Sequence, residues 1–318
     1  MGRNEDKKVL IKIAQMYYEQ DMTQSEISKE LGIYRTTISR LLKRVREEGI
    51  VTITINYDGN DHITLEQQLK ERFGLKEVIV AQVDPAESGR VKRKAIGQAC
   101  AKWLDRVVQK DDVVGFSWGS SLAAVVEALE PSKKPLVTCV PTVGGPSGKV
   151  ESQYHVNNIC YQAALKWGAR SLMIDVPAIT ERRETRDQLM ETEHLKGIAE
   201  LWDNLNIAIF GIGSLEMQGQ EVWRGFYGDA VIGELEYGKV VGDICSRFFD
   251  IQGNPVHTGI SHRTLTIKLE QIRQARYSVG VAESLDKVSG IIGALNGGYM
   301  NVLVTTQETA QRMLEMTN

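Results

Sequence analysis

Met22-Thr23-Gln24-Ser25-Glu26-Ile27-Ser28-Lys29-Glu30-Leu31-Gly32 leads into Ile33-Tyr34-Arg35-Thr36-Thr37-Ile38-Ser39-Arg40-Leu41-Leu42-Lys43-Arg44-Val45-Arg46-Glu47-Glu48-Gly49, and this stretch decides how the first part of the chain folds. Thr23-Gln24-Ser25-Glu26 is a capping box: the threonine hydroxyl accepts from a first-turn amide while the glutamate reaches back to the threonine amide. A short helix is predicted from Gln24 to Leu31. Gly32 then supplies the positive φ that a tight helix-to-helix turn needs. Beyond it Ile38, Leu41, Leu42 and Val45 form an apolar stripe, and that second helix ends near Gly49. Small Ser28 sits where the two helices cross, and Ile38 and Leu41 are expected to insert between them. The order of these features is that of a helix-turn-helix.

The outward face of the second helix carries Tyr34, Arg35, Thr36, Thr37, Ser39, Arg40, Lys43 and Arg44, and no acidic residue lies between Tyr34 and Arg46. Side chains of these kinds read base edges or grip phosphates. With Thr23 and Gln24 at the start of the first helix, they are the candidate contacts to double-stranded DNA. The competing reading is a plain helical hairpin with a solvated basic face; it leaves unexplained why cap, small residue, turn glycine and acid-free helix coincide in this order.

Upstream, Val9, Leu10, Ile13, Ala14 and Tyr17 recur at helical spacing and predict an amphipathic helix that gives out near Gln20-Asp21. Downstream, Val51-Thr52-Ile53-Thr54-Ile55 alternates as a short strand would, in the position of a wing. Asn56-Tyr57-Asp58-Gly59-Asn60-Asp61 is rich in turn formers and marks a boundary, giving domains over 1–58 and 59–318. Two domains suit a chain of 318 residues. Residues 1–56 hold ten Lys/Arg against eight Asp/Glu, whereas the remainder has 28 against 33, so the basic excess sits with the helix pair.

Composition excludes several classes. A hydrophobic fraction of 42% with 25% charged residues is that of a globular protein. The N-terminus does not resemble a signal peptide, no window holds about 18 uninterrupted apolar residues, and a cytoplasmic protein without a membrane partner is expected. Cys100, Cys139, Cys160 and Cys245 are far apart with mostly apolar neighbours, which predicts buried reduced thiols. His62, His155, His194, His257 and His262 show no metal-ligand spacing, so neither a metal nor a cofactor is expected.

A helix is predicted over Thr64–Phe73. From about Glu77, β-branched runs at Val78–Val83, Asp112–Phe116, Leu136–Val140, Ser171–Asp175, Asn206–Phe210, Ser278–Ala282 and Asn301–Thr305 alternate with helical patterns at Lys92–Val108, Ser120–Leu129, Tyr154–Trp167, Asp286–Leu295 and Gln307–Met316. Such alternation predicts a mainly parallel α/β sheet covered on both faces, with ligands at the carboxyl ends of its strands. Gly115-Phe116-Ser117-Trp118-Gly119-Ser120-Ser121 passes from a strand into a helix and presents amides and hydroxyls suited to a phosphate or a polyol oxygen. Pro141-Thr142-Val143-Gly144-Gly145-Pro146 and Gly211-Ile212-Gly213-Ser214 end two further strands. Gly242-Asp243 adds a carboxylate for sugar hydroxyls, and Lys287 a cation for a phosphate.

Two enzymatic readings use the same loops. Gly115-Phe116-Ser117-Trp118-Gly119 matches the G-x-S-x-G nucleophile elbow, with Asp175 or Asp243 as orienting acid and His257 or His262 as base. Such a hydrolase would leave the helix-turn-helix without a role. A sugar-phosphate isomerase could shuttle protons through Asp175, Asp243 or Glu283, yet no closely spaced acid and base stand out. The charged run Glu181-Arg182-Arg183-Glu184-Thr185-Arg186-Asp187 reads as a solvated helix or flap, one of whose arginines could grip a phosphate.

Over essentially its full length the chain resembles the SorC family of sugar-responsive bacterial regulators. The residues that carry the resemblance are Met22 to Ile27, Leu31-Gly32, Thr37 to Leu42, the 115–119 segment, Gly144-Gly145, Asn157, Gly211-Ile212-Gly213, Gly242-Asp243 and Gly297-Gly298-Tyr299. The resemblance implies an effector domain similar to sugar-phosphate isomerases but kept for binding, not turnover. It implies a repressor, an activator or both for a carbohydrate-utilisation operon, L-sorbose being the sugar expected, and assembly into a homo-dimer or tetramer. It also implies a sugar or sugar-phosphate pocket that includes Gly115, Ser117, Trp118, Gly119, Ser120, Thr142, Gly144, Gly145, Asn157, Gly211, Gly213, Asp243 and Lys287. The bulk of Trp118 departs from the family loop; it either stacks on a sugar ring or fills the pocket wall.

Overall fold

Thr23 starts a helix as its sequence predicts. Its hydroxyl accepts from the Glu26 amide at 3.3 Å, and the Glu26 carboxylate accepts from the Thr23 amide at 2.8 Å. In the computed structural model, which describes residues 3–51, 61–147, 150–214 and 227–317, the N-terminal unit (Met1–Asp58) holds helices α1 (Arg3–Tyr18), α2 (Gln24–Leu31) and α3 (Arg35–Glu47). Gly32 lies at φ +63° and its amide closes α2 onto the Ser28 carbonyl. A Cβ there would meet nothing within 4 Å, so the glycine is needed for its backbone angle and not for space.

Leu10, Ile13, Ala14 and Met16 of α1 are buried with Ile27 of α2 and Ile38, Leu42 and Val45 of α3. The expected stripes are corrected in three places. Val9 faces solvent at 43% exposure while Met16 is buried, and Tyr17 and Leu41 are only half-buried, Leu41 beside the buried Leu42. Burying these side chains contributes about 1.5–3 kcal/mol each, which holds α3 against α1 and leaves its polar face outward. The expected strand at 51–55 and the turn-rich boundary lie, apart from Val51 and Asp61, outside the described residues.

The second unit, Gly59–Asn318, begins with α4 (Asp61–Phe73). Its parallel strands are β1 (Glu77–Ala81), β2 (Val113–Phe116), β3 (Thr138–Pro141), β4 (Arg170–Ser171), β5 (Ile207–Gly211), β10 (Tyr277–Val281) and β11 (Val302–Thr306), in spatial order β1-β11-β10-β5-β2-β3-β4. Six of the seven predicted runs form strands of four or five residues, and the seventh, Ser171–Asp175, contributes only its first residue. Every residue of β11 is buried, and β5 and β10 are nearly so, which requires cover on both faces. The further helices are α5 (Gly89–Val107), α6 (Ser120–Ala128), α7 (Val156–Trp167), α8 (Arg183–Met190), α9 (Glu193–Asp203), α10 (Asp229–Tyr237), α11 (Leu269–Gln274), α12 (Val288–Asn296) and α13 (Gln307–Thr317), of which α5, α6, α7, α11 and α13, with α4, pack on the parallel strands. Among the described residues no helix is long and apolar enough to cross a membrane.

Two features differ from expectation. The run Ser171–Asp175 pairs only through Arg170–Ser171, because the Asn157 side chain takes over the backbone of Ile174, accepting from its amide at 2.9 Å and donating to its carbonyl at 3.2 Å. A second, antiparallel sheet of β6 (Gly213–Ser214), β7 (Gly242–Ile244), β8 (Arg247–Phe249) and β9 (Pro255–Val256) was not foreseen.

Candidate functional site

In the parallel sheet, β2 runs on to β3 on one side and β5 runs on to β10 on the other, while β2 and β5 are neighbours. The order therefore reverses between them, and in such sheets ligands bind beyond the strand ends at this point. A cavity of about 470 Å3 opens there. Ser117, Trp118, Gly119 and Ser120 enter it from the β2–α6 loop, Gly211 and Gly213 from the end of β5 and the start of β6 that follows it, Asp243 from β7, and Lys287 from a 3-10 turn (Leu285–Lys287) ahead of α12. Four segments scattered along the chain thus converge on one volume, and eight of the thirteen expected pocket residues line it.

The loop is fixed by backbone pairing. The Ser117 amide donates to the Ile209 carbonyl at 3.1 Å, and the Gly119 amide donates to the Tyr154 carbonyl at 3.1 Å. Gly119 precedes α6 and offers no side-chain cap, so the first-turn amides of α6 begin at the cavity wall. Trp118 is half-buried and leans on the hydrophobic core, consistent with a wall.

Asp243 and Lys287 bring opposite charges to one space. Burial pushes the Asp243 carboxyl up to about 6, opposed by the Ser246 amide, which donates to Oδ2 at 2.8 Å, and by the charge of Lys287. Burial likewise pulls Lys287 below its ordinary value; Glu283 and Asp243 hold it up, whereas Arg93 pushes it down. Glu283 itself is buried and paired to Arg93 at 3.1 Å. A ligand carrying hydroxyl donors and an acceptor or anionic group satisfies both sides of the cavity.

The other five expected pocket residues do not line this cavity. A Cβ on Gly115 would stand 2.7 Å from the Thr142 methyl, and one on Gly144 would stand 2.7 Å from the Ala178 backbone, so close packing accounts for both glycines. Thr142 is buried beneath the cavity, its hydroxyl donating to the Phe116 carbonyl at 3.0 Å with the Cys245 thiol 3.4 Å away. Gly145 and Asn157 border a different hollow with His155 and Asp175. Sequence reasoning missed Glu151, Tyr154, Tyr227, Cys245 and Ser246, all of which line the cavity. Only spatial proximity could have found them.

Cys245 and Ser246 form the two-residue turn between β7 and β8, at φ +52° and +61°. Two left-handed residues make a type I′ turn, ordinarily the place of Asn-Gly. With side chains at both positions the turn is strained by about 1–2 kcal/mol per residue. The Thr266 hydroxyl donates to the Cys245 carbonyl at 2.8 Å, and the Tyr227 hydroxyl donates to Ser246 Oγ at 3.0 Å.

The hydrolase geometry is not met. Ser117 lies on a strand-to-helix turn but outside the positive-φ conformations, and no histidine is among the cavity residues. His257 and His262 are exposed and stack on each other at 6.5 Å. All four cysteines are buried and free, as expected, with burial pushing Cys100, Cys139 and Cys245 up to about 12. The charged run contributes α8, none of whose residues is buried, and its Arg183 and Arg186 both bond to Asp187.

On the N-terminal unit, Tyr34 at 85% exposure, Arg35, Thr36, Ser39, Arg40, Lys43 and Arg44 face outward along α3, and Thr37 is half-buried. Thr23 is occupied by the capping box, hydroxyl and amide both, which leaves its side chain little to offer DNA. Gln24 is half-buried beside it. Lys43 pairs with Glu47 at 3.5 Å and Arg44 with Glu48, whereas among the described residues Arg35 and Arg40 have no recorded ion pair. Exposed i,i+4 pairs are worth about 0.3–0.5 kcal/mol and yield readily to a phosphate. Lys43→Ala is therefore expected to weaken binding to all duplex sequences alike and to reduce the slope of log affinity against log salt by about one. A salt titration of fluorescence anisotropy checks this, and an unchanged slope would remove Lys43 from the phosphate contacts.

Comparison with known proteins bears on both units. Residues 57–315 match the family model described as "Putative sugar-binding domain", and residues 4–52 match "Homeodomain-like domain". The "Sorbitol operon regulator" of Klebsiella pneumoniae is 49% identical over 99% of this chain and 100% of its own length. The "Deoxyribonucleoside regulator" of Bacillus subtilis is 30% identical, with 98% of each chain covered. Among solved structures, the full-length sorbitol operon regulator SorC from Klebsiella pneumoniae superposes with a TM-score of 0.78 at 50% identity, covering 96% of this chain and 98% of the other.

Proposed function

This chain belongs to the SorC family of sugar-responsive, DNA-binding transcription regulators, which are not enzymes, and we propose that it controls a carbohydrate-utilisation operon in the cytoplasm by trading a sugar in the β2–β5 cavity against operator DNA on α3. The observation that carries this reading is the meeting of Asp243, Lys287 and the start of α6 in one cavity at the reversal of strand order. The effector is a hexitol or ketohexose, free or as a phosphate ester. L-Sorbose and D-sorbitol are the leading pair, since one is the other with a single carbinol oxidised, and the 49%-identical relative is named for a sorbitol operon.

The sugar hydroxyls donate to Asp243, and an acceptor or phosphate oxygen receives from Lys287, the α6 amides and the hydroxyls of Ser117 and Ser120. Gly115, Thr142, Gly144, Gly145 and Asn157 shape the neighbouring loops without touching the sugar. Tyr34 to Arg44 read and grip the major groove. The protein acts as a homo-dimer or tetramer, because paired half-sites one or more helical turns apart require paired heads. An effector that changes how protomers pack then changes the spacing of those heads. Such couplings amount to about 1–3 kcal/mol.

A thermal-shift screen of D-sorbitol, L-sorbose and their 1- and 6-phosphates tests the cavity. At least one is expected to raise the melting temperature in a concentration-dependent way; no shift with any of them would reject the sugar assignment.

The raised pKa of Asp243 adds a pH signature. The folded protein holds this proton up to about pH 6, whereas an unfolded aspartate releases it near 3.9, so this stabilising contribution is complete below about pH 4 and is lost as pH rises through 6. Effector binding runs the opposite way, since the ionised carboxylate is the better acceptor. Affinity measured by calorimetry is expected to fall about tenfold from pH 7.5 to pH 5, and a flat profile would separate Asp243 from the effector.

A further inference from the structure

We propose that Tyr227 and Ser246 are positioning residues for effector recognition: they clamp the strained Cys245–Ser246 turn so that its amide occupies one oxygen of Asp243 and leaves the other for the effector. The proposal rests on the β2–β5 cavity being the effector site.

A type I′ turn without glycine or asparagine does not hold itself together, and the surroundings must hold it. At Cys245 the hold comes from below, through the Thr266 hydroxyl on its carbonyl and the contact of its thiol with Thr142. After the turn, Arg247 donates to the carbonyls of Ser261, Thr266 and Ile267 and ties β8 down. Ser246 has a different support: the buried Tyr227 hydroxyl on its Oγ at 3.0 Å. The Tyr227 ring stands edge-on to Phe248, centroids 5.3 Å apart, so the clamp is anchored to the strand that follows the turn.

The Ser246 amide is in turn what reaches Asp243 Oδ2, at 2.8 Å. Were the Ser246 backbone to relax toward negative φ, this amide would leave the carboxylate. Asp243 would then be free to rotate, and both of its oxygens would need partners at once. The clamp therefore acts on the effector through Asp243, with strain as the reason it is needed.

Strain makes the proposal testable, because glycine adopts the left-handed conformation without help and alanine does not. Full-length wild type, Ser246→Ala, Ser246→Gly, Tyr227→Phe and Tyr227→Phe/Ser246→Gly are titrated calorimetrically with the strongest binder among D-sorbitol, L-sorbose and their 1- and 6-phosphates. Ser246→Ala and Tyr227→Phe are expected to bind about tenfold more weakly, the scale of one hydrogen bond. Ser246→Gly and the double variant are expected within about twofold of wild type, on the same scale. Melting curves confirm that each variant is folded; where one is not, Ser246→Asn, whose short polar side chain suits the left-handed conformation, takes its place and is expected to bind more tightly than Ser246→Ala.

Equal affinities for alanine and glycine at position 246 would overturn the proposal. So would a Tyr227→Phe defect that glycine does not repair, which would mean that Tyr227 touches the effector itself. If wild type binds none of the probes, the effector-site reading fails first and the clamp with it.

Discussion

Arg40→Ala is expected to lower operator affinity by about 5- to 150-fold, equivalent to about 1–3 kcal/mol, and to relax preference at one base pair. Arg40 follows Ser39 on the outward face of α3, opposite the buried Ile38, Leu42 and Val45. Among the described residues it has no recorded acidic partner, unlike Lys43 and Arg44. Its guanidinium is therefore free to make the paired bonds to O6 and N7 of a guanine that form the commonest specific contact in the major groove. Alanine is at least as good a helix former and removes no buried surface, so loss of binding cannot be charged to unfolding. The check is anisotropy with the operator and with single-base variants of it. Unchanged affinity together with unchanged base preference would take Arg40 out of the reading face.

Asp243→Asn is expected to remove the sugar response while the protein still binds operator. Asparagine keeps the shape and an oxygen for the Ser246 amide, but that choice turns its NH2 group toward the cavity. A donor then meets the sugar hydroxyls where an acceptor is required, and Lys287 loses a countercharge. The ligand-induced change in operator affinity, about 5- to 150-fold for a coupling of about 1–3 kcal/mol, should disappear. Operator release measured with and without ligand checks this; a variant that responds as wild type would show that Asp243 does not report on the sugar.

Legibility in the sequence followed the range of the determinants. The helix-turn-helix rests on contacts three or four residues apart, such as Thr23 with Glu26 and Gly32 with Ser28, and it could be read directly. The parallel sheet was legible because most of its strands lie in largely apolar, β-branched runs, β4 being the exception. The antiparallel sheet was not: its strands are two or three residues long, and its turn at Cys245–Ser246 lacks the Asn or Gly that announces a type I′ bend. Glycine misled in one respect. Gly115 and Gly144 looked like cradle residues, yet each is a glycine because a methyl group would strike Thr142 or Ala178. Asn157 looked like a ligand residue and instead replaces a strand's ladder at Ile174. Tyr154, in a short 3-10 turn, and Tyr227 reach the cavity although nothing in the sequence marks them as facing it.

The central claim is that one cavity governs DNA binding, and an operator fragment titrated by anisotropy with and without saturating ligand tests it most directly, using D-sorbitol, L-sorbose and their 1- and 6-phosphates in turn. The account predicts that one of these ligands shifts the operator Kd by about 5- to 150-fold in the wild type and leaves it unmoved in Asp243→Asn. An operator Kd that none of them changes, or one that shifts equally in wild type and Asp243→Asn, would contradict it.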